Sequence, residues 1–256
     1  MPKVSVCAPL YNTDPVHLKQ MIESVLSQTF EDFEFLLLND SPDNKEIKEI
    51  VFSYMDKRIK YIENNINLGI SASRNKLINL STGEYLAVCD HDDISLPERF
   101  EKQVTYLESH SDVGVVSALC STFGDGTHHF QHHPERDEDI KSMLSNGCYI
   151  AHPAAMIRKS VLLVNKIFYK QEYSPAEDYK LWADLMNVTN FHNIQDYLLR
   201  YRTFDKNTSV LQRKKMGRVT KKIQREMLHR RNNDSESSFC GVCSKAIFFL
   251  RKIMKR

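Results

Sequence analysis

Tyr85-Leu86-Ala87-Val88-Cys89 runs directly into Asp90-His91-Asp92-Asp93. Five apolar residues without polar alternation predict a strand covered on both faces, the kind found inside a parallel sheet. The chain must therefore supply a layer on each side of that strand. Acids at its carboxyl end stand where open α/β sheets bind ligands. In extended backbone Asp90 and Asp92 point to one side and Asp93 to the other. Two converging carboxylates repel each other, and a divalent cation with a phosphate group beyond it resolves the repulsion. A solvated acidic turn, or acids capping a helix ahead of Ser95-Leu96-Pro97, is the alternative.

The residues upstream supply the layers. Val4 to Ala8 predict a strand stopped by Pro9, and Asp14-Pro15 predict a helix start, with Asp14 as cap and Pro15 at the first helical position. Leu18, Met21, Ile22, Val25 and Leu26 then form one helical stripe. Phe33 to Leu38 predict a buried strand ending in Asn39-Asp40. A helix follows through Ile47, Ile50, Val51 and Tyr54, then a short strand over 59–62. A third helix near 70–80 is expected to stop at Gly83. Repeated strand–helix crossovers through residue 93 imply a parallel sheet with helices on both faces.

After Asp93 the rhythm loosens. Helices are predicted from Pro97 (Phe100, Val104, Leu107), around Ile140, Met143 and Leu144, and from Pro175 (Leu181, Trp182, Leu185). Strands are predicted over 113–119, 154–157 and 191–201, with loops over 123–134 and 167–174. Residues 1–211 read as one α/β domain whose regular half ends at about residue 93 and whose looser half covers 94–211. Residues 212–256 read as a basic helical extension.

Hydrophobic residues make up 41% of the 256 and charged residues 27%, which suits a globular chain. The net charge of +2 hides an asymmetry: residues 212–231 carry +8 and 232–256 carry +3, leaving −9 for residues 1–211. From Phe239 onward, Val242, Ala246, Phe249, Leu250 and Ile253 form a stripe among basic residues. That pattern fits an anionic membrane surface or a helix packed on protein. No nucleic-acid motif accompanies the basic helix. Met1-Pro2-Lys3 leads straight into a strand, no apolar stretch reaches membrane-spanning length, and the six cysteines form no disulfide framework. A cytoplasmic enzyme, peripheral on the inner membrane face through its tail, is the expectation.

Three strand ends place polar residues on one sheet edge: Pro9-Leu10-Tyr11-Asn12, Asn39-Asp40 and Asp90-His91-Asp92-Asp93. That edge describes a nucleotide pocket. Neither glycine-rich phosphate loop is present, so a diphosphate would be held by a cation and basic side chains. Arg74, just inside the third helix, is a candidate phosphate or base contact; its alternative is a solvated arginine. His128-His129 and His132-His133 lie in a glycine-containing loop and fit a solvated or acceptor-side loop better than a metal site.

These residues, with Ser24 to Phe30, Asn67-Leu68-Gly69, Arg74-Asn75 and Gly83-Glu84-Tyr85, resemble family 2 glycosyltransferases of the GT-A fold over roughly residues 3–210. The resemblance implies inverting transfer from a nucleotide-diphosphate donor, usually a UDP-sugar, with Mn2+ or Mg2+. It matches Asp40 to the acid at the uracil, Asp90 to the acid at the ribose, Asp92 to the metal acid and Asp178 to the catalytic base. Pro9, Tyr11, Asn12, Asn67, Arg74 and His91 fall among the expected donor contacts. The acceptor is expected to be a glycan or a lipid-linked sugar in bacterial-type surface polysaccharide synthesis. Many members carry Tyr-Arg-x-His; here Tyr201-Arg202-Thr203 is followed by Phe204. The Q-x-x-R-W signature of processive synthases is missing, which implies one sugar per turnover. A non-catalytic sugar-binding module and a metal-dependent phosphohydrolase are the other classes compatible with the same acids.

Glu177 and Asp178 compete for the base. Ser174-Pro175-Ala176-Glu177 fits a capping box, which would occupy Glu177 structurally and leave Asp178 free. A helix N-terminus is expected to lower the Asp178 pKa.

Overall fold

The computed structural model describes residues 1–125, 128–205 and 207–229. The first half runs β1 (Val4–Leu10), α1 (Pro15–Leu26), β2 (Phe33–Asn39), α2 (Lys45–Phe52), β3 (Ile59–Glu63), α3 (Ile70–Leu80) and β4 (Tyr85–Val88). The second half runs β5 (Ile94–Ser95), α4 (Arg99–Ser109), β6 (Val113–Gly124), α5 (Asp137–Leu144), β7 (Met156–Arg158), α6 (Lys159–Asn165), α7 (Glu177–Leu185), β8 (Asn190–Thr203) and α8 (Thr208–Leu211). A helix α9 spans 213–229. Short 3-10 turns occupy His152–Ala154 and Gln171–Tyr173.

One sheet carries all eight described strands in the order β3-β2-β1-β4-β7-β6-β8-β5. The first four are mutually parallel, as their crossover helices dictate. The sheet is mostly parallel, as expected; beyond β4, β7 pairs antiparallel with both β4 and β6. The regular strand–helix alternation has lapsed by then, so strand direction is no longer fixed by a crossover. Strand β4 is buried on both faces, as its sequence requires: Tyr85 and Ala87 join the core under α1, α2 and α4, while Leu86 and Val88 join the core under α3, α5, α6 and α7.

Asp14 caps α1, its Oδ1 accepting the Val16 and His17 N–H groups at 2.9 and 3.1 Å. Pro9 does not stop β1, which continues to Leu10. Cys7 O accepts from Cys89 N while Leu10 O accepts from Asp40 N. Odd positions of β1 therefore face β4, which has ended at Val88, and the missing Pro9 N–H interrupts no ladder bond. Gly83 does not end α3 either, since the helix stops at Leu80 with Ser81 extended. Instead a Cβ on Gly83 would come within 2.7 Å of Ser5 N, so the residue admits close approach of the chain to β1.

Helix α9 packs on the second core through Ile223 and Met227, both buried, with Lys214, Lys215 and Arg218 left exposed. Its Glu226 accepts from the Tyr173 hydroxyl at 2.8 Å and pairs with Lys180 at 3.2 Å, which braces α7. The stripe from Phe239 lies outside the described residues. Among the described residues no helix is long and apolar enough to cross a membrane.

Candidate active site

The sheet reverses direction of growth between β1 and β4: the chain builds outward from β1 to β2 and β3, then returns to β4 on the other side. That reversal opens a crevice beyond the carboxyl ends of the two strands. Tyr11, Asn12, Asp40, Asp90 and Asp92 all lie at this edge. A cleft of about 620 Å3 lined by Glu31, Asp32, Met55 and Arg58 opens at the opposite edge, by the amino end of β2, and carries none of them.

Pro9 is buried at the end of β1, while Tyr11 is 55% exposed over the crevice. Asn12 adopts φ +44°, a left-handed conformation Asn tolerates, and donates its N–H to Ser41 Oγ at 2.8 Å. Asp40, expected against the uracil, has another task. Its Oδ1 accepts from Asn64 Nδ2 (2.6 Å) and Leu68 N (2.9 Å), and its Oδ2 from Asn67 Nδ2 (3.1 Å) and Gly69 N (2.9 Å). Four donors fill the four acceptor positions of a carboxylate. Asp40 therefore pins the 64–69 loop. Gly69 at φ +82° brings that loop against Gln171.

Arg74 is not solvated. Its Nη2 donates to Asp90 Oδ1 at 3.0 Å and its Nη1 to Glu177 Oε1 at 2.8 Å, with the guanidinium 5.3 Å from the Tyr169 ring centroid. One buried cation thus joins the acid after β4 to the start of α7. Next to it, Asn75 clamps Tyr169 by both backbone groups, and the Tyr169 hydroxyl shares a 2.8 Å hydrogen bond with His152 Nε2. Burial, reinforced by Arg74, pushes the His152 pKa down to about 3, so its ring is neutral. Burial pushes the Asp90 carboxyl up, but the Arg74 guanidinium outweighs it and leaves the pKa below the usual range.

The expected capping box is absent. Ala176, not Ser174, occupies the N-cap of α7, and no side chain bonds there. Glu177 instead spends Oε1 on Arg74 while its buried Oε2 has no partner. The expected depression of the Asp178 pKa is also corrected. Burial, then the charge of Glu177, pushes it up to about 6, overcoming the hydrogen bond from Tyr179 N at 2.7 Å. Desolvation and a like charge here exceed the helix-terminus effect. Glu177→Gln leaves Arg74 with Asp90 alone, so we expect a loss of about 3 kcal/mol in urea unfolding, the low end for a broken buried pair. Unchanged stability would show that the bridge carries nothing.

The acid turn itself divides. Asp93 turns away and accepts the Arg202 N–H at 2.8 Å, while its buried Oδ2 has no partner. Burial and the Asp92 charge push its carboxyl well up, which suits a neutral acid. Arg202 Nε donates to the Asp92 carbonyl at 2.7 Å and Nη2 to Gln20 Oε1 at 2.6 Å, fixing the turn to α1 and β8. Asp92 keeps its side chain free of ion pairs among the described residues. Burial raises its pKa, against the pull of His91 and with the push of Asp90.

The sequence profile of glycosyl transferase family 2 matches residues 5–163. The chain belongs to that family. An uncharacterized glycosyltransferase of Methanocaldococcus jannaschii is 36% identical over 207 residues, covering 78% of this chain and 71% of its own. The amylovoran biosynthesis glycosyltransferase AmsE of Erwinia amylovora is 30% identical, covering 77% of this chain and 75% of its own. The crystal structure of S. aureus TarS 1-349 in complex with UDP-GlcNAc superposes with a TM-score of 0.69 at 20% identity, over 80% of this chain. The glycosyltransferase spans 60% of that solved chain, and likeness at this identity establishes the GT-A fold. With the family established, the sugar-binding-module and phosphohydrolase readings fall.

Does this glycosyltransferase suit a divalent cation? Among the described residues no group of three or more His, Cys, Asp or Glu side chains could hold one. At this turn the Asp92 side chain makes no ion pair among the described residues, and His91 beside it buries an unpartnered Nδ1. Such a site fits Mg2+ or Mn2+ of the kind held by one or two carboxylates, waters and substrate phosphates. Sequence reading missed two residues at this turn. Arg202 was noted only for the histidine absent after it. His17, whose ring lies 5.6 Å from Phe204 and feels the Asp92 charge, sits on a half-buried face of α1 that no spacing rule distinguishes.

Proposed function

We propose that this glycosyltransferase moves one sugar, with inversion, from a UDP-sugar to a hydroxyl of a growing glycan or lipid-linked acceptor in surface polysaccharide synthesis. The carrying observation is the Arg74 bridge. One guanidinium joins Asp90, read as the donor-side acid, to Glu177, the neighbour of the acid read as the acceptor-side base. The amylovoran relative supports the polysaccharide context.

Tyr11, Asn12, Asn67 and the loop pinned by Asp40 border the nucleotide, with Asp90 toward the ribose and His91 beside Asp92. Asp92 would hold a Mn2+ or Mg2+ ion, which would supply positive charge for the departing diphosphate. Asp178 takes the proton of the acceptor hydroxyl as its oxygen bonds to the anomeric carbon, and the bond from that carbon to the diphosphate breaks on the opposite face. The test is thermal unfolding with Mn2+ and a panel of nucleotide-sugars. A donor at ~100 times its Kd adds roughly 2.7 kcal/mol. UDP-sugars should stabilise and GDP-mannose should not; no shift with any UDP-sugar would sink the proposal.

A further inference from the structure

An exposed aromatic corner on the second half of the chain has no part in the chemistry above. Strand β7 lies antiparallel between β4 and β6, so β6 runs in the same direction as β4. The far end of β6 therefore projects on the same side as Asp90. There Leu119–Gly124 pairs with Tyr197–Thr203 of β8 after a register shift. Residues 128–131 lie back along β6 and are bonded to it. Phe130 bridges antiparallel to Ser121, Thr122 N donates to His129 O at 2.8 Å, and Gln131 N donates to Cys120 O at 2.9 Å. Asn193 Nδ2 then ties Pro134 O and Tyr149 O at 2.7 and 2.9 Å.

This scaffold holds Phe130 out. Its side chain is 62% exposed, with its ring edge-on to Tyr197 at 5.0 Å and 73°. His132 stands 6.5 Å from Tyr197, and His133 stands 6.4 Å from Tyr149. Burying a Phe would gain about 1.5–3 kcal/mol, yet the fold fixes this one in water.

Two rings meeting at 73° make a corner bordered by His132 and Gln131, not a broad apolar patch of the kind that meets protein. A pyranose matches it. One face of the sugar presents C–H bonds polarised by adjacent oxygens, which are drawn to the negative face of an aromatic ring, while its hydroxyls stay at the polar rim. We propose that Phe130 and Tyr197 form a subsite for a pyranose ring of the acceptor glycan. This rests on the reading of Asp178 as the acceptor-side base.

Saturation-transfer NMR of the full chain with UDP and Mn2+ tests it. The probes are methyl β-glucopyranoside, methyl β-galactopyranoside and methyl N-acetyl-β-glucosaminide. At least one should receive saturation on its ring C–H protons. Phe130→Ala should weaken its binding roughly fivefold, the worth of one aromatic contact. Tyr197→Ala should do the same, and Tyr197→Phe should retain binding because the ring, not the hydroxyl, makes the contact. Because Phe130 is exposed, Phe130→Ala decides alone if Tyr197→Ala does not fold. Stabilisation by UDP, measured on the same samples, reads the donor reading separately and should not move. No saturation of any probe by the wild-type chain, or binding by Phe130→Ala within twofold of wild type, would overturn the proposal.

Discussion

Asp178→Asn should cut turnover by roughly 10²- to 10⁴-fold while UDP-sugar binding survives, the usual cost of losing a general base. Asparagine keeps the shape and the hydrogen bond from Tyr179 N but cannot take a proton. The wild-type group is well matched to the task. A carboxyl at about 6 is mostly ionised at pH 7 and is a stronger base than an ordinary aspartate. Wild-type kcat/KM should therefore fall about tenfold per pH unit below pH 6, as Asp178 gains its proton. A residual rate in Asp178→Asn with that limb still present would assign it to another group.

The same shift carries a stability signature of opposite sign. A carboxyl raised from its ordinary value to about 6 binds its proton more tightly folded than unfolded. Between about pH 4 and pH 6 the folded state holds more protons, so this group's contribution to stability declines as pH rises and is lowest above pH 6. Asp178→Asn removes the cost of the buried charge. Its urea midpoint should rise above wild type at pH 7 and converge with it at pH 4. Lost activity with gained stability is the trade-off of a strained functional group. A midpoint that falls at pH 7 would mean the carboxylate stabilises the fold.

Periodicity made the first half legible. The stripe of α1, its Asp14 cap, and the two-faced burial of β4 are local patterns, and the structure repeats them, with Leu26 half-buried and β4 ending at Val88. What local pattern could not carry was anything decided by a distant partner. Gly83 looks like a helix stop until Ser5 is known to lie against it. Pro9 looks like a strand stop until β4 is known to end first. Helix α6 was missed because its seven residues, only one of them buried, carry too short a stripe. Ser174-x-x-Glu177 has the spacing of a capping box, but Arg74, 103 residues away, takes the glutamate. Asp40, Asp90, Asp92 and Asp178 were all visible as residues at strand or helix ends. Their tasks depend on burial and neighbours, which is why Asp40 turned out to be filled and Asp178 raised rather than lowered.

Asp92→Asn should lower transfer by roughly 10³-fold or more, because a cation's contribution to such a step is several kcal/mol. The fold should survive. Asp92 makes no ion pair among the described residues, and the turn is held by Arg202 through the Asp92 carbonyl and the Asp93 carboxyl, neither of which the substitution touches. Binding of Mn2+ with UDP, followed by paramagnetic broadening of the UDP phosphorus signals, reads the site without turnover and should be lost. In the wild-type chain the same affinity should weaken as pH falls. Asp92 is raised above the ordinary carboxylate range by burial and by Asp90, so protons compete with the ion for it. Arg202→Lys separates position from charge. It keeps the cation but not the fork of donors that grips the turn, and should weaken Mn2+ binding less than Asp92→Asn does. Wild-type transfer by Asp92→Asn, or Mn2+ affinity indifferent to that substitution, would remove Asp92 from the metal site and leave the exposed side of the acid turn without a function.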